Sequence, residues 1–273
     1  TDVSCYGGGD GTATATPSGG TIPYNYVWNN GQTDSTAVGL FPGLQAVNVF
    51  DLNGCIGANN VTIGEPGALT VAAAATDATC NGGADGGVTL TISGGTVPYE
   101  YAWSNGDSTM NISGVAAGTY TVSVTDSCGS AVIVSASVDE PDAPSLAVTT
   151  LDVSCNAGND GSVDLTVSGG TSPYAYLWSN AATTEDISGL VADTYSVAIT
   201  DACGLTLADT SFITEPAQLT TSITGNNTTC YALGDGSATV TAAGGTTPYN
   251  YQWSNSQTSS TAIGLFPGNY SVN

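Results

Sequence analysis

The sequence repeats itself with a step of 75 residues, and this feature restricts the fold more than any other. A cysteine, an Asp-Gly pair and a tryptophan recur in the same order in each copy. They stand at Cys5, Cys80, Cys155 and Cys230, at Asp10, Asp85, Asp160 and Asp235, and at Trp28, Trp103, Trp178 and Trp253. Tandem copies of one module predict an array in which each copy folds as a small unit and contacts its neighbours.

The module boundaries are predicted at Glu-Pro pairs that recur with the same step. Repeat 1 covers residues 1–66 and lacks the first strand, repeat 2 covers 67–141, repeat 3 covers 142–216, and repeat 4 covers 217–273 and is truncated. Since proline restricts these short junctions, we expect stiff connections. The sequence starts and stops inside a module, so we interpret it as a window from a longer polypeptide. Two incomplete modules from different chains could then complement each other.

Alternating polar and apolar residues predict strands throughout the module. In repeat 2 the pattern covers residues 69–75, 87–93, 99–103, 119–125 and 131–138. Val88, Leu90 and Ile92 share one face of the second segment, which is the period of a half-buried strand. No segment has helical periodicity. Six or seven short strands in 75 residues favour an all-β fold, a tandem array of small Ig-like β-sandwiches.

The charge balance excludes several classes of partner and of chemistry. The 273 residues include 23 acids and no Lys, Arg or His, which gives a net charge of −23. Such a surface repels nucleic acid and anionic lipid. No imidazole base or lysine nucleophile is available, so we expect no enzymatic activity. No apolar run approaches the ~20 residues that span a bilayer, so we expect no membrane insertion of this segment.

A second cysteine follows the first in each of the first three repeats. We predict one disulfide within each repeat, pairing Cys5 with Cys55, Cys80 with Cys128, and Cys155 with Cys203. Small secreted domains often carry such bonds, and closing a loop of this length contributes about 4 kcal/mol on the chain-entropy model. The alternative is free buried thiols in a reducing compartment. Cys230 has no partner among these residues, and we expect its partner to lie beyond Asn273.

Acids recur around the cysteines and suggest a cation site. Three groups are involved: an acid before the first cysteine, the acid of the Asp-Gly pair, and an acid before the second cysteine. They are Asp2, Asp77 and Asp152; Asp10, Asp85 and Asp160; and Asp51, Asp126 and Asp201. Uncompensated carboxylates suit Ca²⁺, although no cofactor is required by any motif. The alternative is that each aspartate caps its own turn.

An aromatic strand recurs in every copy. Alternation places its two tyrosines on the same face as the tryptophan. The tyrosines of the first three copies are Tyr24, Tyr26, Tyr99, Tyr101, Tyr174 and Tyr176. One interpretation is a core face, with the tryptophan filling the sandwich. The other is an exposed strip that stacks on sugar rings of surface glycans.

Taken together, these motifs resemble the SprB repeat of very large surface adhesins in gliding Bacteroidetes. The matching residues are Cys80-x-x-x-x-Asp85-Gly86, Ser93-Gly-Gly-Thr-x-Pro-Tyr-x-Tyr-x-Trp-Ser-Asn-Gly106 and Ala117-Gly-Thr-Tyr-x-Val-x-Val-Thr-Asp126. Repeat 1 closes with Asp51-Leu-Asn-Gly-Cys55, whereas repeats 2 and 3 place the cysteine two residues earlier. The resemblance implies an exported protein of the bacterial cell surface.

Two functional hypotheses follow from the array and the resemblance. In the first, the repeats are a stiff spacer in a long extracellular adhesin or filament and contact neighbouring repeats of the same or identical chains. In the second, each repeat binds a glycan weakly and multivalency makes the contact firm.

Overall fold

The computed structural model describes residues 1–230 and 233–273 and is all-β. The strands are β1 Gly11–Thr14, β2 Asn25–Trp28, β3 Thr36–Leu40, β4 Gly43–Phe50, β5 Ile56–Ile63, β6 Thr70–Thr76, β7 Gly86–Ser93, β8 Glu100–Trp103, β9 Ile112–Val115, β10 Gly118–Thr125, β11 Ala131–Val138, β12 Ser145–Leu151, β13 Gly161–Ser168, β14 Ala175–Trp178, β15 Ile187–Leu190, β16 Asp193–Thr200, β17 Thr206–Ile213, β18 Thr220–Asn226, β19 Gly236–Ala243 and β20 Thr261–Leu265. Within the described residues there is no helix that could cross a membrane.

The chain forms two compact units, Thr1–Pro141 and Asp142–Asn273. In the first unit, repeat 2 contains two three-stranded antiparallel sheets, β6-β7-β9 and β8-β10-β11. Repeat 1 has the sheets β1-β3 and β2-β4-β5. β10 pairs with β11 without interruption from Gly118↔Val138 to Thr125↔Ala131. A register shift at Gly86 and Gly87 interrupts the pairing of β7 with β9.

The second unit repeats this arrangement. Repeat 3 contains the sheets β12-β13-β15 and β14-β16-β17, and repeat 4 contains β18-β19-β20. The second sheet of repeat 4 is represented in the described residues by the antiparallel bridge between Trp253 and Val272.

Each sandwich encloses its own core, built from the inward face of alternating strands. In repeat 2, Val88 and Leu90 of one sheet share a buried core with Val122, Val124 and Trp103 of the other. These side chains are the ones that period-two alternation places on one face. The prediction of an all-β array of Ig-like sandwiches is therefore confirmed.

Candidate functional site

The loop that carries the first cysteine of each repeat is closed by its Asp-Gly aspartate. In repeat 1 the Asp10 carboxylate accepts hydrogen bonds from the backbone N–H of Ser4 at 2.9 Å and from its hydroxyl at 2.5 Å. Asp85 accepts the same two bonds from Thr79, at 3.0 and 2.5 Å. The hydroxyl and the N–H of Ser4 hold the pKa of Asp10 below its ordinary value. We call residues 3–10, 78–85 and 153–160 the cysteine loops.

The glutamate of each Glu-Pro pair ties the cysteine loop to the repeat junction. Glu140 accepts hydrogen bonds from the N–H of Gly82 at 2.7 Å and from the Asn81 amide at 3.3 Å. Glu65 accepts a bond from the N–H of Gly7 at 2.8 Å, and Glu215 one from the N–H of Ala157 at 2.6 Å. The sequence marked these pairs only as linkers. The structure shows that they fix the loop beside the point where the next repeat begins.

The predicted disulfide within each repeat is wrong, because the cysteine loop and the second cysteine lie at opposite ends of a strand. In repeat 1, Cys55 immediately precedes β5, whereas Glu65, which holds the Cys5 loop, follows it. An eight-residue strand is about 27 Å long, far beyond the Cα separation of about 6 Å that a disulfide spans. β11 separates Cys80 from Cys128 in the same way, and β17 separates Cys155 from Cys203.

The observed disulfide joins two repeats. Cys5 of repeat 1 bonds Cys128 of repeat 2, with a Cα–Cα distance of 5.9 Å and 123 residues between them in sequence. Cys80 and Cys203 are also disulfide-bonded. Among the described cysteines, Cys55, Cys155 and Cys230 are free and exposed. The interpretation of buried free thiols is therefore wrong as well.

The turn that follows β4, β10 and β16 is organised by the third group of aspartates. Asp126 is buried and accepts hydrogen bonds from the N–H groups of Thr96, Cys128 and Ser130 at 2.8 to 3.1 Å. We call residues 51–55, 126–130 and 201–205 the closing turns. Asp51 accepts hydrogen bonds from the N–H groups of Asn53 and Cys55, which follow it by two and four residues, as Cys128 and Ser130 follow Asp126. Cys55 therefore occupies the place of Ser130, and Asn53 that of Cys128.

The acids predicted to share a cation each accept hydrogen bonds from a different part of the chain. Each aspartate before the first cysteine accepts a hydrogen bond from a backbone N–H group. The N–H of Gly64 donates to Asp2 at 2.7 Å, that of Asp139 to Asp77 at 2.9 Å, and that of Thr214 to Asp152 at 2.7 Å. Across residues 1–230 and 233–273, no three acidic or cysteine side chains are grouped closely enough to hold a metal ion. The contacts favour the capping interpretation of these aspartates. The calcium site stays a prediction, without a contact that supports it.

Asp201 provides a prediction about pH. Burial raises the pKa of Asp201, but the hydrogen bonds from the N–H groups of Thr171, Leu205, Cys203 and Gly204 outweigh it and lower the pKa below 3.8. Its ionised form therefore stabilises the fold above about pH 4, and this contribution is lost as the pH falls through the lower folded-state pKa. We expect Asp201→Asn to lower Tm by several degrees at pH 7 and by much less near pH 2.

Thermal unfolding followed by far-UV circular dichroism checks this expectation. Asp164→Asn is the matched control, because Asp164 is an exposed residue of β13 in the same repeat. The control removes the same charge without the buried hydrogen bonds. A difference between Asp201→Asn and wild type that stays constant from pH 7 to pH 2 would contradict the assigned role.

The aromatic strands face the core. Trp28, Trp103, Trp178 and Trp253 are between 2% and 5% exposed. The indole N–H of Trp103 donates to the carbonyl of Thr109 at 2.8 Å, and Trp28 makes the equivalent bond to Asp34 at 2.9 Å.

The tyrosines of these strands are half-buried beside the tryptophans, and some of their hydroxyl groups form hydrogen bonds within the same repeat. The hydroxyl of Tyr99 donates to the Gly94 carbonyl, and that of Tyr24 donates to the Gly19 carbonyl, both at 2.6 Å. Tyr176 interacts with Glu185; burial, followed by this carboxylate, raises the pKa of Tyr176. The core interpretation fits this arrangement, and sugar stacking stays a prediction.

At the place where repeat 2 has β6, repeat 1 has Thr1, which exchanges two backbone hydrogen bonds with Thr12 of β1. A groove of about 630 Å³ runs beside β1 and is lined by Ala13, Trp28, Val47 and residues 57–61 of β5. The idea that incomplete modules of two chains complement each other stays a prediction.

Comparison with known proteins gives a match to one family. The model of a family described as "SprB repeat" matches residues 1–33, 72–108, 147–183 and 222–258. These segments make up more than half of the chain, and the last three start 75 residues apart. No curated protein sequence matches.

Several solved structures show a weaker likeness. Sidekick-1 immunoglobulin domains 1–5 are 12% identical over 97% of this chain and 74% of that chain, with a TM-score of 0.37. The Down Syndrome Cell Adhesion Molecule (DSCAM) is 13% identical over 85% of this chain and 38% of that chain, with a TM-score of 0.31. The surface layer protein SbsC, domains 4–9, is 16% identical over 77% and 41%, with a TM-score of 0.25. Scores this low carry no argument about function.

Proposed function

The chain belongs to the SprB repeat family, and from this premise we propose that it is a non-enzymatic, extracellular segment of a long cell-surface adhesin or filament, in which the repeats act as a stiff spacer. The observation that carries the proposal is the junction between repeats 1 and 2. There a cysteine loop held by Glu65 meets the closing turn held by Asp126, and a disulfide joins them. A flexible tether needs no such construction.

Composition supports the extracellular assignment and the spacer role. Disulfides persist in oxidising compartments, and the bond between Cys5 and Cys128 fits an exported protein. The net charge of −23 is uncompensated by any basic side chain, so neighbouring filaments repel each other and stay apart. The absence of Lys and Arg also removes every cleavage site for proteases that recognise those residues.

The proposal is tested by locating the protein on intact cells. Gold-labelled antibody raised against one repeat should decorate thin fibres that project from the surface in electron micrographs. Cells that lack the gene are the control. Label restricted to the cytoplasm, or found only in the medium, would contradict the proposal. A glycan screen with the purified chain separates the spacer from a sugar-binding array, since a spacer should bind no sugar.

A further inference from the structure

The disulfide between Cys5 and Cys128 lies within a contact between two repeats that is also held by hydrogen bonds. The Thr96 hydroxyl of repeat 2 donates to the Ser4 carbonyl of repeat 1 at 3.0 Å, immediately before Cys5. One carboxylate, that of Asp126, accepts bonds from the N–H groups of both Thr96 and Cys128. The same buried group therefore orients the hydroxyl and the sulfur that reach across the junction.

The cysteine loop of repeat 1, on the other side of this contact, is also held by hydrogen bonds. Asp10 holds Ser4 through two hydrogen bonds, and Glu65 holds Gly7, so Cys5 is presented from a loop anchored on both sides. Since a disulfide requires its two Cα atoms to lie about 6 Å apart with aligned Cβ atoms, such anchoring lowers the cost of forming the bond.

The same contact recurs in the second unit without a disulfide. The Thr246 hydroxyl of repeat 4 donates to the Ser154 carbonyl of repeat 3 at 2.5 Å. Asp160 holds Ser154 as Asp10 holds Ser4. Cys155, the next residue, is free and exposed. The given residues of repeat 4 stop before the position that corresponds to Cys128.

We propose that the disulfide between a cysteine loop and the closing turn of the next repeat transmits tension between successive repeats, and that Cys155 is a site for the same bond with a closing-turn cysteine of a repeat that docks through Thr246. Bond formation joins two thiol sulfurs and removes two protons and two electrons. Oxidised glutathione, a disulfide of the required class, takes them up and leaves as two reduced molecules.

The consequence is mechanical. Tension applied to the ends of the first unit passes from Cys5 through the disulfide to Cys128, so the intervening chain carries none of it. Unfolding of the bypassed part of either sandwich adds no length until the bond is reduced. The value of this property to a cell rests on the proposed spacer function, whereas the bond and its load path do not.

Force spectroscopy on the whole chain, tethered at both ends, measures the length of chain that the disulfide keeps from extending. Cys80→Ser and Cys203→Ser are present in every sample, because these cysteines are disulfide-bonded too. Adding Cys5→Ser and Cys128→Ser should increase the final unfolded length by about 40 nm, the extended length of 123 residues. Reductant added to the parent during the pull should release the same length. Equal lengths with and without reductant would overturn the proposal.

A second experiment tests Cys155. Residues 124–138 of repeat 2 are appended after Asn273 to supply repeat 4 with a closing turn, and the chain is refolded with oxidised glutathione. Peptic peptide mapping should then show Cys155 bonded to the appended cysteine and protected from iodoacetamide. With serine in place of the appended cysteine, Cys155 should be alkylated. Alkylation of Cys155 in both samples would overturn the assignment, whatever the location of the protein on cells.

Discussion

Gly94→Ala is expected to destabilise repeat 2 much more than Gly106→Ala destabilises the same repeat. Both glycines have a positive φ, +70° and +88°, so alanine is strained at either position by about 1–2 kcal/mol. At Gly94, however, a Cβ atom would lie 2.1 Å from the carbonyl oxygen of Ala68 and 2.9 Å from that of Gly67. These are backbone atoms at the start of repeat 2, and they cannot move aside cheaply.

The extra cost of Gly94→Ala should be about 1–3 kcal/mol or more, as for overpacking elsewhere. At Gly106 no atom lies within 4 Å of a Cβ, so this substitution isolates the backbone strain. Hydrogen exchange measured by mass spectrometry on peptides of repeat 2 reports the opening free energy of each variant. If the two substitutions cost the same, the close approach of the Gly94 turn to the residue 67–68 backbone is not important for stability.

Trp178→Ala should lower the free energy of unfolding of repeat 3 by about 3–5 kcal/mol, the usual cost of removing a buried tryptophan. The side chain is 2% exposed, packs in the core of repeat 3, and donates its indole N–H to the Thr184 carbonyl at 2.9 Å. Alanine would leave a cavity and an unpaired carbonyl. Guanidinium unfolding followed by far-UV circular dichroism measures the loss.

Leu177→Ala is the control on the same strand. Leu177 is adjacent to Trp178 in β14 but is 60% exposed on the opposite face. Its replacement should change stability by no more than about 0.5 kcal/mol. A larger loss from Leu177→Ala than from Trp178→Ala would mean that the strand faces are reversed, and it would restore the hypothesis of an exposed aromatic strip.

The faces of the strands could be predicted because they depend on local geometry. Successive side chains of a strand point to opposite sides, so Val88 and Leu90 were assigned to the core from sequence and are buried in it. In the aromatic strand the same rule places the two tyrosines and the tryptophan on one face, but it left open whether this face is core or exposed; the structure buries Trp103. The turn aspartates were recognised as either cation ligands or caps, but sequence could not distinguish these roles, since both use the same oxygen atoms.

The partners of the cysteines could not be predicted, because pairing depends on which ends of different strands meet in space. A spacing of about 50 residues within a repeat suggested internal bonds, and nothing local contradicted it. The length of β5 separates Cys55 from the Cys5 loop, and only the docking of repeat 2 brings Cys128 to Cys5. The two-residue difference between the closing turns of repeats 1 and 2 was the one signal that their cysteines are not equivalent.

The sequence by itself therefore determined the period of the array, the all-β class, which side chains of a strand share a face, and the absence of basic side chains. Each of these follows from composition or from contacts between residues close in the chain. The tertiary structure alone decided that Glu65, Glu140 and Glu215 hold the cysteine loops, that the recurring acids are used separately, and that a disulfide joins one repeat to the next. The glutamate contacts and the disulfide join groups 58 or more residues apart in sequence, whose distances only the packed sandwiches fix. The acids form hydrogen bonds both within short loops and across the repeat, so their spacing in sequence did not decide between a shared cation and separate caps.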